Sequence, residues 1–221
     1  MSGNGDGKEM LILSEGDVRR SVDMSAAIGA VRRAFQRLSS GRAEVPVRHA
    51  LEGEGGDVLF MPGRVDDPVR IGAKTVSVYP GNTDLGVEPV NAAVLLVDPA
   101  TGRPRALLAG NHLTALRTGA ASGVATDLLA REDASVLALF GAGTQARTQL
   151  QAVAAVRELE AVRVVSRTGE SARRFAREHD GRGFRIRAVE DPADALRGAD
   201  VVVAATDSST PVFDGSDVER G

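Results

Sequence analysis

Cysteine is absent from the chain, which removes disulfides, thiol catalysis and cysteine-ligated zinc together. That absence suits a reducing cytoplasm, the compartment expected here. No run approaches the roughly 18 apolar residues a membrane helix needs. The polar, Gly-rich start, residues 1–9, has no apolar stretch of the signal-peptide kind and is expected to be a disordered leader. A surplus of positive charge is missing too: 27 basic residues face 30 acidic ones, for a net charge of -3. Nucleic-acid binders usually carry a basic excess, so that class falls in rank. Tryptophan is absent, and Tyr79 is the single tyrosine. Lysine is nearly absent, with Lys8 in the leader and Lys74 beyond it, so the chain's other basic residues are arginines. What is present is ordinary for a packed protein. Of 221 residues, 43% are hydrophobic and 26% charged, enough for one large domain or two small ones.

The hydrophobic period changes along the chain. Ser14 is placed to cap a short helix from Glu15. Ile28, Val31, Phe35 and Leu38 recur at helical spacing, predicting a helix from about Ser25 to Leu38 with Gly41 as its stop. Short β-branched runs at 45–51, 57–61 and 69–78 read as strands. The runs 90–97 and 105–108 flank Asp98-Pro99-Ala100-Thr101-Gly102, a turn signal, and read as an antiparallel pair. The Ala-rich stretch 113–130 reads as a helix. From about Arg131, apolar runs at 135–140, 162–165, 184–188 and 201–205 alternate with helical segments at 144–156, 170–179 and 192–196. That alternation predicts a parallel, doubly wound sheet. The fold expected is α/β: a mixed α+β domain over 10–132 and a Rossmann-type dinucleotide-binding domain over 133–221, incomplete at its C-terminal end.

The second half carries the sharper motif. The apolar run to Phe140 is followed by Gly141-Ala142-Gly143-Thr144-Gln145-Ala146 and then by a helix. Gly141 permits the tight turn, Gly143 lets a pyrophosphate approach the backbone, and Ala146 lets helix and sheet pack closely. The helix start offers unpaired N–H groups to phosphates. A ligand-free glycine turn is the plain alternative, but the strand-turn-helix setting argues for a cofactor. An NAD site usually ends the next strand in Asp or Glu. Here that strand ends in Ser166-Arg167-Thr168, with no acid, and Arg167 can pair with the 2′-phosphate of NADP. NADPH is therefore the expected cofactor and NADH the alternative. Thr206, after the fourth strand, is a further cofactor candidate, with a loop-capping role equally open. No metal is expected.

In the first half, Gly72, Lys74, Val76 and Val78 share one strand face. Lys74 thus sits among apolar neighbours, where an ammonium calls for an anion. A lone lysine in an arginine-using chain points to a compact charge or a movable proton. Arg48 and Arg117, taken singly, are ordinary solvated arginines.

Together, Pro46-Val47-Arg48, Gly72-Ala73-Lys74, Tyr79-Pro80-Gly81-Asn82, Asp98 with Thr101-Gly102, Leu113 to Ala120 and Gly141 to Ala146 resemble the ornithine cyclodeaminase / mu-crystallin family, from about Met10 to the end. The resemblance implies a homodimer built through the first domain and NAD(P)-dependent chemistry at the carbon bearing an amine or imine of a small amino acid. It implies that Arg48, Lys74 and Arg117 gather round the substrate carboxylate, with Lys74 also exchanging a proton with the substrate nitrogen. Two departures count. Cyclodeaminases carry a Glu where this chain has Leu59, which favours a ketimine reductase or an alanine dehydrogenase-like enzyme over ornithine cyclisation. The family also continues past residue 221 with a further strand, a Gly-rich turn and helices, so the chain is expected to be either a fragment or a truncated relative, with one sheet edge left open. The reading expected is an NADP-dependent oxidoreductase acting on CH–NH or CH–NH2 groups. Its rivals are a non-catalytic, mu-crystallin-type NADPH-binding protein and an ornithine cyclodeaminase. Asp84 and Glu88, after the pocket strand, are weak acid/base candidates.

Overall fold

The computed structural model describes residues 9–219. The leader expected over 1–9 lies, but for Glu9, outside them. The chain divides into two compact units, residues 9–23 with 32–114, and 24–31 with 115–219. The sequence places this division near 132, between helix and strand. In the structure it falls within the Ala-rich helix, between Thr114 and Ala115.

The first unit is built on one sheet. β1 (Leu11–Leu13) leads to α1 (Glu15–Ser21). Ser14 caps α1: its Oγ accepts from the Asp17 N–H at 3.2 Å, while the Asp17 carboxylate accepts from the Ser14 N–H at 2.9 Å. α2 (Met24–Ser39) follows. Then come β2 (Ala43–Glu44), β3 (His49–Gly53), β4 (Gly56–Val65), β5 (Arg70–Val78), β6 (Val90–Val97) and β7 (Pro104–Ala109). The strand order is β1-β7-β6-β5-β4-β2, with β3 also on β4. Every pair is antiparallel except β1 with β7.

Two expectations change here. β1 is absent from the sequence reading, since three apolar residues carry no measurable period. Of the strand expected over 45–51, residues 45–48 leave the ladder and 49–51 belong to β3, while β2 lies before the expected range and pairs with the other end of β4. Pro46, with no N–H to donate, sits in that gap.

The second unit holds most of α3 (Asn111–Leu129), then β8 (Val136–Phe140), α4 (Thr144–Ala154), β9 (Ala161–Val165), α5 (Gly169–Glu178), β10 (Arg185–Ala188), α6 (Pro192–Leu196) and β11 (Val201–Ala204). The sheet is all parallel in the order β10-β9-β8-β11. In strand sequence that is third, second, first, fourth, the first half of a doubly wound dinucleotide fold. β8 explains the apolar run: Leu137 and Leu139 join a core with Leu150, Val153, Val162, Val164 and Phe175, while Ala138 and Phe140 join another with Val189, Ala195 and Leu196. Successive residues of a strand face opposite ways, so a strand buried on both sides must be apolar throughout.

α3 belongs to this unit because its small residues pack against α4. A Cβ on Gly119 would stand 2.4 Å from the Thr148 carbonyl oxygen, so the two helices touch backbone to side. Its C-terminal end is held by Arg157, whose buried guanidinium donates to the carbonyls of Thr126 (3.0 Å), Ala130 (2.7 Å) and Arg131 (2.8 Å). Those donors satisfy carbonyls that a helix end leaves orphaned.

Candidate functional site

The turn after β8 is shaped for a ligand. Gly141 has φ +112, and a Cβ there would lie 2.2 Å from the Ala205 carbonyl oxygen. Only glycine fits both the backbone angle and the space. Gly143 is the N-cap of α4 and offers no side-chain cap, so the first-turn N–H groups of α4 have no such partner. Where a Gly143 Cβ would stand, nothing lies within 4 Å. Ala146 is fully buried with Leu137 and Leu139, which keeps α4 close on the sheet. Open space, uncapped donors and the partial positive charge of a helix start are what a pyrophosphate requires. The Gln145 amide oxygen is buried without a hydrogen-bond donor, so the same turn of helix holds a free acceptor. The residues therefore fit a dinucleotide. Thr206 lies beside this turn, its Cγ2 3.5 Å from where a Gly141 Cβ would be.

β9 ends at the second part of the motif. The Thr168 Oγ1 accepts from the Ser171 N–H and caps α5. The Ser166 hydroxyl donates to the Thr168 carbonyl at 2.8 Å and meets the Ser171 hydroxyl at 3.1 Å. Those two hydroxyls are thus engaged in building the corner, whereas Arg167 is exposed.

In the first unit, Lys74 on β5 is half-buried, in register with Met61 on β4 and Val94 on β6. Val94 is in turn across from Leu108 on β7, so the row that holds this ammonium is apolar on both sides. Leu59 stands across from Val76, on the same face and one row along. The residue replacing the cyclodeaminase Glu therefore borders Lys74. Arg48 is exposed and immediately precedes β3. Since His49 pairs with Phe60, one more step of register would set Arg48 across from Met61, in the Lys74 row. Arg117 is exposed on α3, in the second unit. Asp84 and Glu88 are both exposed.

The Asp98 motif has a structural explanation. Its carboxylate accepts from the Thr101 N–H (2.9 Å), the Thr101 hydroxyl (3.0 Å) and the Ala100 N–H (3.0 Å), closing the turn from β6 to β7. The bonds from Thr101 hold this carboxyl below its ordinary range. Asn111, at the start of α3, accepts from the Ala92 N–H at 2.6 Å and ties that helix to β6. Neither Asn111 nor Arg157 stood out in the sequence, because each meets partners 19 or more residues away. Among the described residues no group of His, Cys, Asp and Glu is placed to hold a metal ion. No helix among them is long and apolar enough to cross a membrane.

A four-stranded 3-2-1-4 sheet with a glycine turn over a bare helix start defines a dinucleotide-binding protein of the doubly wound class. Residues 8–221 match the ornithine cyclodeaminase/mu-crystallin family, and the chain belongs to it. It is 38% identical over 209 residues to a Delta(1)-pyrroline-2-carboxylate reductase of Bacillus cereus, covering 92% of this chain and 64% of that protein. Its fold is similar to that of the Thermococcus litoralis Delta(1)-pyrroline-2-carboxylate reductase solved with NADH and L-proline, with a TM-score of 0.89 and 42% identity over 95% of this chain and 66% of that one. It is similar also to an archaeal alanine dehydrogenase dimer with bound NAD, with a TM-score of 0.91 and 35% identity over 96% and 65%. The chain thus spans about two thirds of the length of these relatives.

Proposed function

We propose that this protein is an NAD(P)-dependent oxidoreductase acting at the C–N carbon of a small α-imino or α-amino acid, as a ketimine reductase or an alanine dehydrogenase-like enzyme. The observation that carries the reading is the Gly141–Gly143 turn: a forced glycine, an uncapped helix start and open space beside it. When bound, the nicotinamide supplies or accepts the hydride at the substrate carbon.

The chain's own residues bind and orient. Gly141 to Ala146 hold the pyrophosphate, with Thr206 beside the turn. Arg48, Lys74 and Arg117 hold the substrate carboxylate, two forked guanidiniums and one ammonium being suited to that anion. Fixing the carboxylate fixes the reacting carbon, which is a large part of what such a site contributes. Lys74 also exchanges a proton with the substrate nitrogen. Leu59 beside Lys74 brings no acid/base group, which supports reduction or dehydrogenation over ornithine cyclisation.

The cofactor preferred is NADPH. Support comes from the exposed Arg167 at the end of β9 and from the lack of a carboxylate on that strand end. The protein is further proposed to be a homodimer through its first unit, where Val45, Val47, Leu51 and Phe60 are exposed apolar residues. A second reading, a protein that holds these ligands without turnover, is favoured by the exposure of Asp84 and Glu88, which leaves Lys74 alone to move a proton. NADPH oxidation on addition of a cyclic ketimine such as Δ1-pyrroline-2-carboxylate supports the enzyme. Binding of both ligands with no absorbance change at 340 nm would select the second reading.

A further inference from the structure

The corner after β9 carries a second arginine that the sequence motif does not include. Arg173, on α5, folds back along its helix. Its Nη2, Nη1 and Cζ lie 3.4, 3.5 and 3.6 Å from where a Cβ on Gly169 would stand. Helical side chains lean toward the helix start, so Arg173 is aimed at the turn it follows. Gly169 is the first residue of α5, next to the Thr168 cap. At those distances a methyl at 169 would make ordinary contact, so the guanidinium lies packed over the first turn of α5.

The same guanidinium is held from the other side by Glu190, Nη2 to Oε1 2.6 Å. Glu190 lies just past β10, and the Val189 N–H before it donates to the Val164 carbonyl of β9 at 2.9 Å. Arg173 and Glu190 therefore meet, with Arg167 two residues past the end of β9, at the carboxyl end of neighbouring parallel strands, the edge where doubly wound sheets bind ligands. The Arg173–Glu190 pair is exposed on both sides, and a pair of that kind is readily exchanged for a stronger partner.

We propose that Arg173 is a specificity-determining residue for the 2′-phosphate of NADP, gripping it opposite Arg167, and that Glu190 restrains it by competing for the same guanidinium. The proposal rests on the reading of Arg167 as a 2′-phosphate ligand. A phosphate dianion offers three acceptor oxygens and accommodates two forked donors. Arriving there, it displaces Glu190 from Arg173. The Glu190 carboxylate then stands near the phosphate and opposes it, so this acid sets how strongly the site prefers a phosphorylated ribose.

The test uses nucleotide fragments that reach only the adenosine end. Adenosine 2′,5′-bisphosphate and adenosine 5′-monophosphate are titrated by calorimetry into the full chain, as wild type, Arg167→Ala, Arg173→Ala and Glu190→Gln. Arg173→Ala is expected to weaken the bisphosphate about tenfold and leave the monophosphate within about twofold, the effect of losing one charge-assisted contact. Glu190→Gln is expected to tighten the bisphosphate several-fold, a gain that damage to the fold cannot produce. If Arg167→Ala abolishes the preference while Arg173→Ala leaves it intact, the Arg173 proposal is overturned and the Arg167 reading stands. If the wild-type chain binds both fragments alike, both fall.

Discussion

Replacing Gly119 by alanine sets two effects against each other in a way the structure resolves. Alanine in a helix interior is favoured over glycine by about 0.5–1 kcal/mol. Against that, the new methyl would sit 2.4 Å from the Thr148 carbonyl oxygen and 2.6 Å from its carbon. Those are backbone atoms of α4, which move only if the helix moves. Forcing a methylene-sized group into such a contact costs about 1–3 kcal/mol. The clash therefore wins, with a net loss of about 1–2 kcal/mol. Gly123→Ala, one turn along the same helix, is the internal control. There the methyl meets side-chain atoms, the Cδ1 and Cγ1 of Ile28 at 2.7 and 2.9 Å and the Ala152 Cβ at 3.3 Å. The Cδ1 can turn about the outer side-chain bond while the β-branched Cγ1 stays stiff, so crowding outweighs propensity only slightly and the change costs about 0.5–1 kcal/mol, less than at Gly119. Urea unfolding, followed by circular dichroism since the chain has no tryptophan, reads both variants. Equal midpoints for Gly119→Ala and wild type, or a larger loss at Gly123 than at Gly119, would refute the reasoning that α3 belongs against α4.

Three further outcomes are expected. Arg167→Ala should weaken NADPH binding about tenfold or more while NADH changes little, as measured by titration of nicotinamide fluorescence; equal losses would remove Arg167 from the phosphate site. His179 is buried and stacked on Phe175, and burial, reinforced by Arg182 and Arg147, pulls its pKa below the ordinary 6.5 against the pull of the Phe175 carbonyl. Because the unfolded chain then takes up the proton first, stability holds above about pH 6.5 and falls as pH drops from there toward the folded pKa; a urea midpoint flat between pH 7 and 5 would contradict this. The Asp200 carboxylate accepts from the Ser135 and Val136 N–H groups at 2.9 Å each and pairs with Arg131, anchoring β8 to the segment entering β11. Burial raises its pKa, but those bonds and Arg131 outweigh it and hold it low, so Asp200→Asn should cost about 1.5–3 kcal/mol at neutral pH, a difference that narrows in acid.

How much of this was legible beforehand depends on the range of the interactions. β8 was legible because a strand covered on both faces must be apolar at every position, and Leu137 to Phe140 are. The glycine turn was legible because backbone angle and crowding act within a few residues of Gly141. The strand face shared by Gly72, Lys74 and Val76 follows from a period of two, and β4 then sets Leu59 in the adjoining row. What stayed hidden depends on distant partners. The division between the units falls inside α3 because Gly119 meets Thr148, and an Ala-rich helix shows no apolar stripe to reveal which side is covered. β1 is placed by pairing with Ala106 to Leu108, and Arg173 is placed by Glu190. Pro46, with no N–H for a ladder, marks the break at 45–48.

Whether the turn from Gly141 to Ala146 holds a nicotinamide dinucleotide is decided by titrating the chain with NADPH and with NADH while following nicotinamide fluorescence. Saturable binding is expected, tighter for NADPH, that Gly141→Ala abolishes by placing a methyl 2.2 Å from the Ala205 carbonyl oxygen. A folded chain that binds neither nucleotide, or binding unaltered by Gly141→Ala, would contradict it.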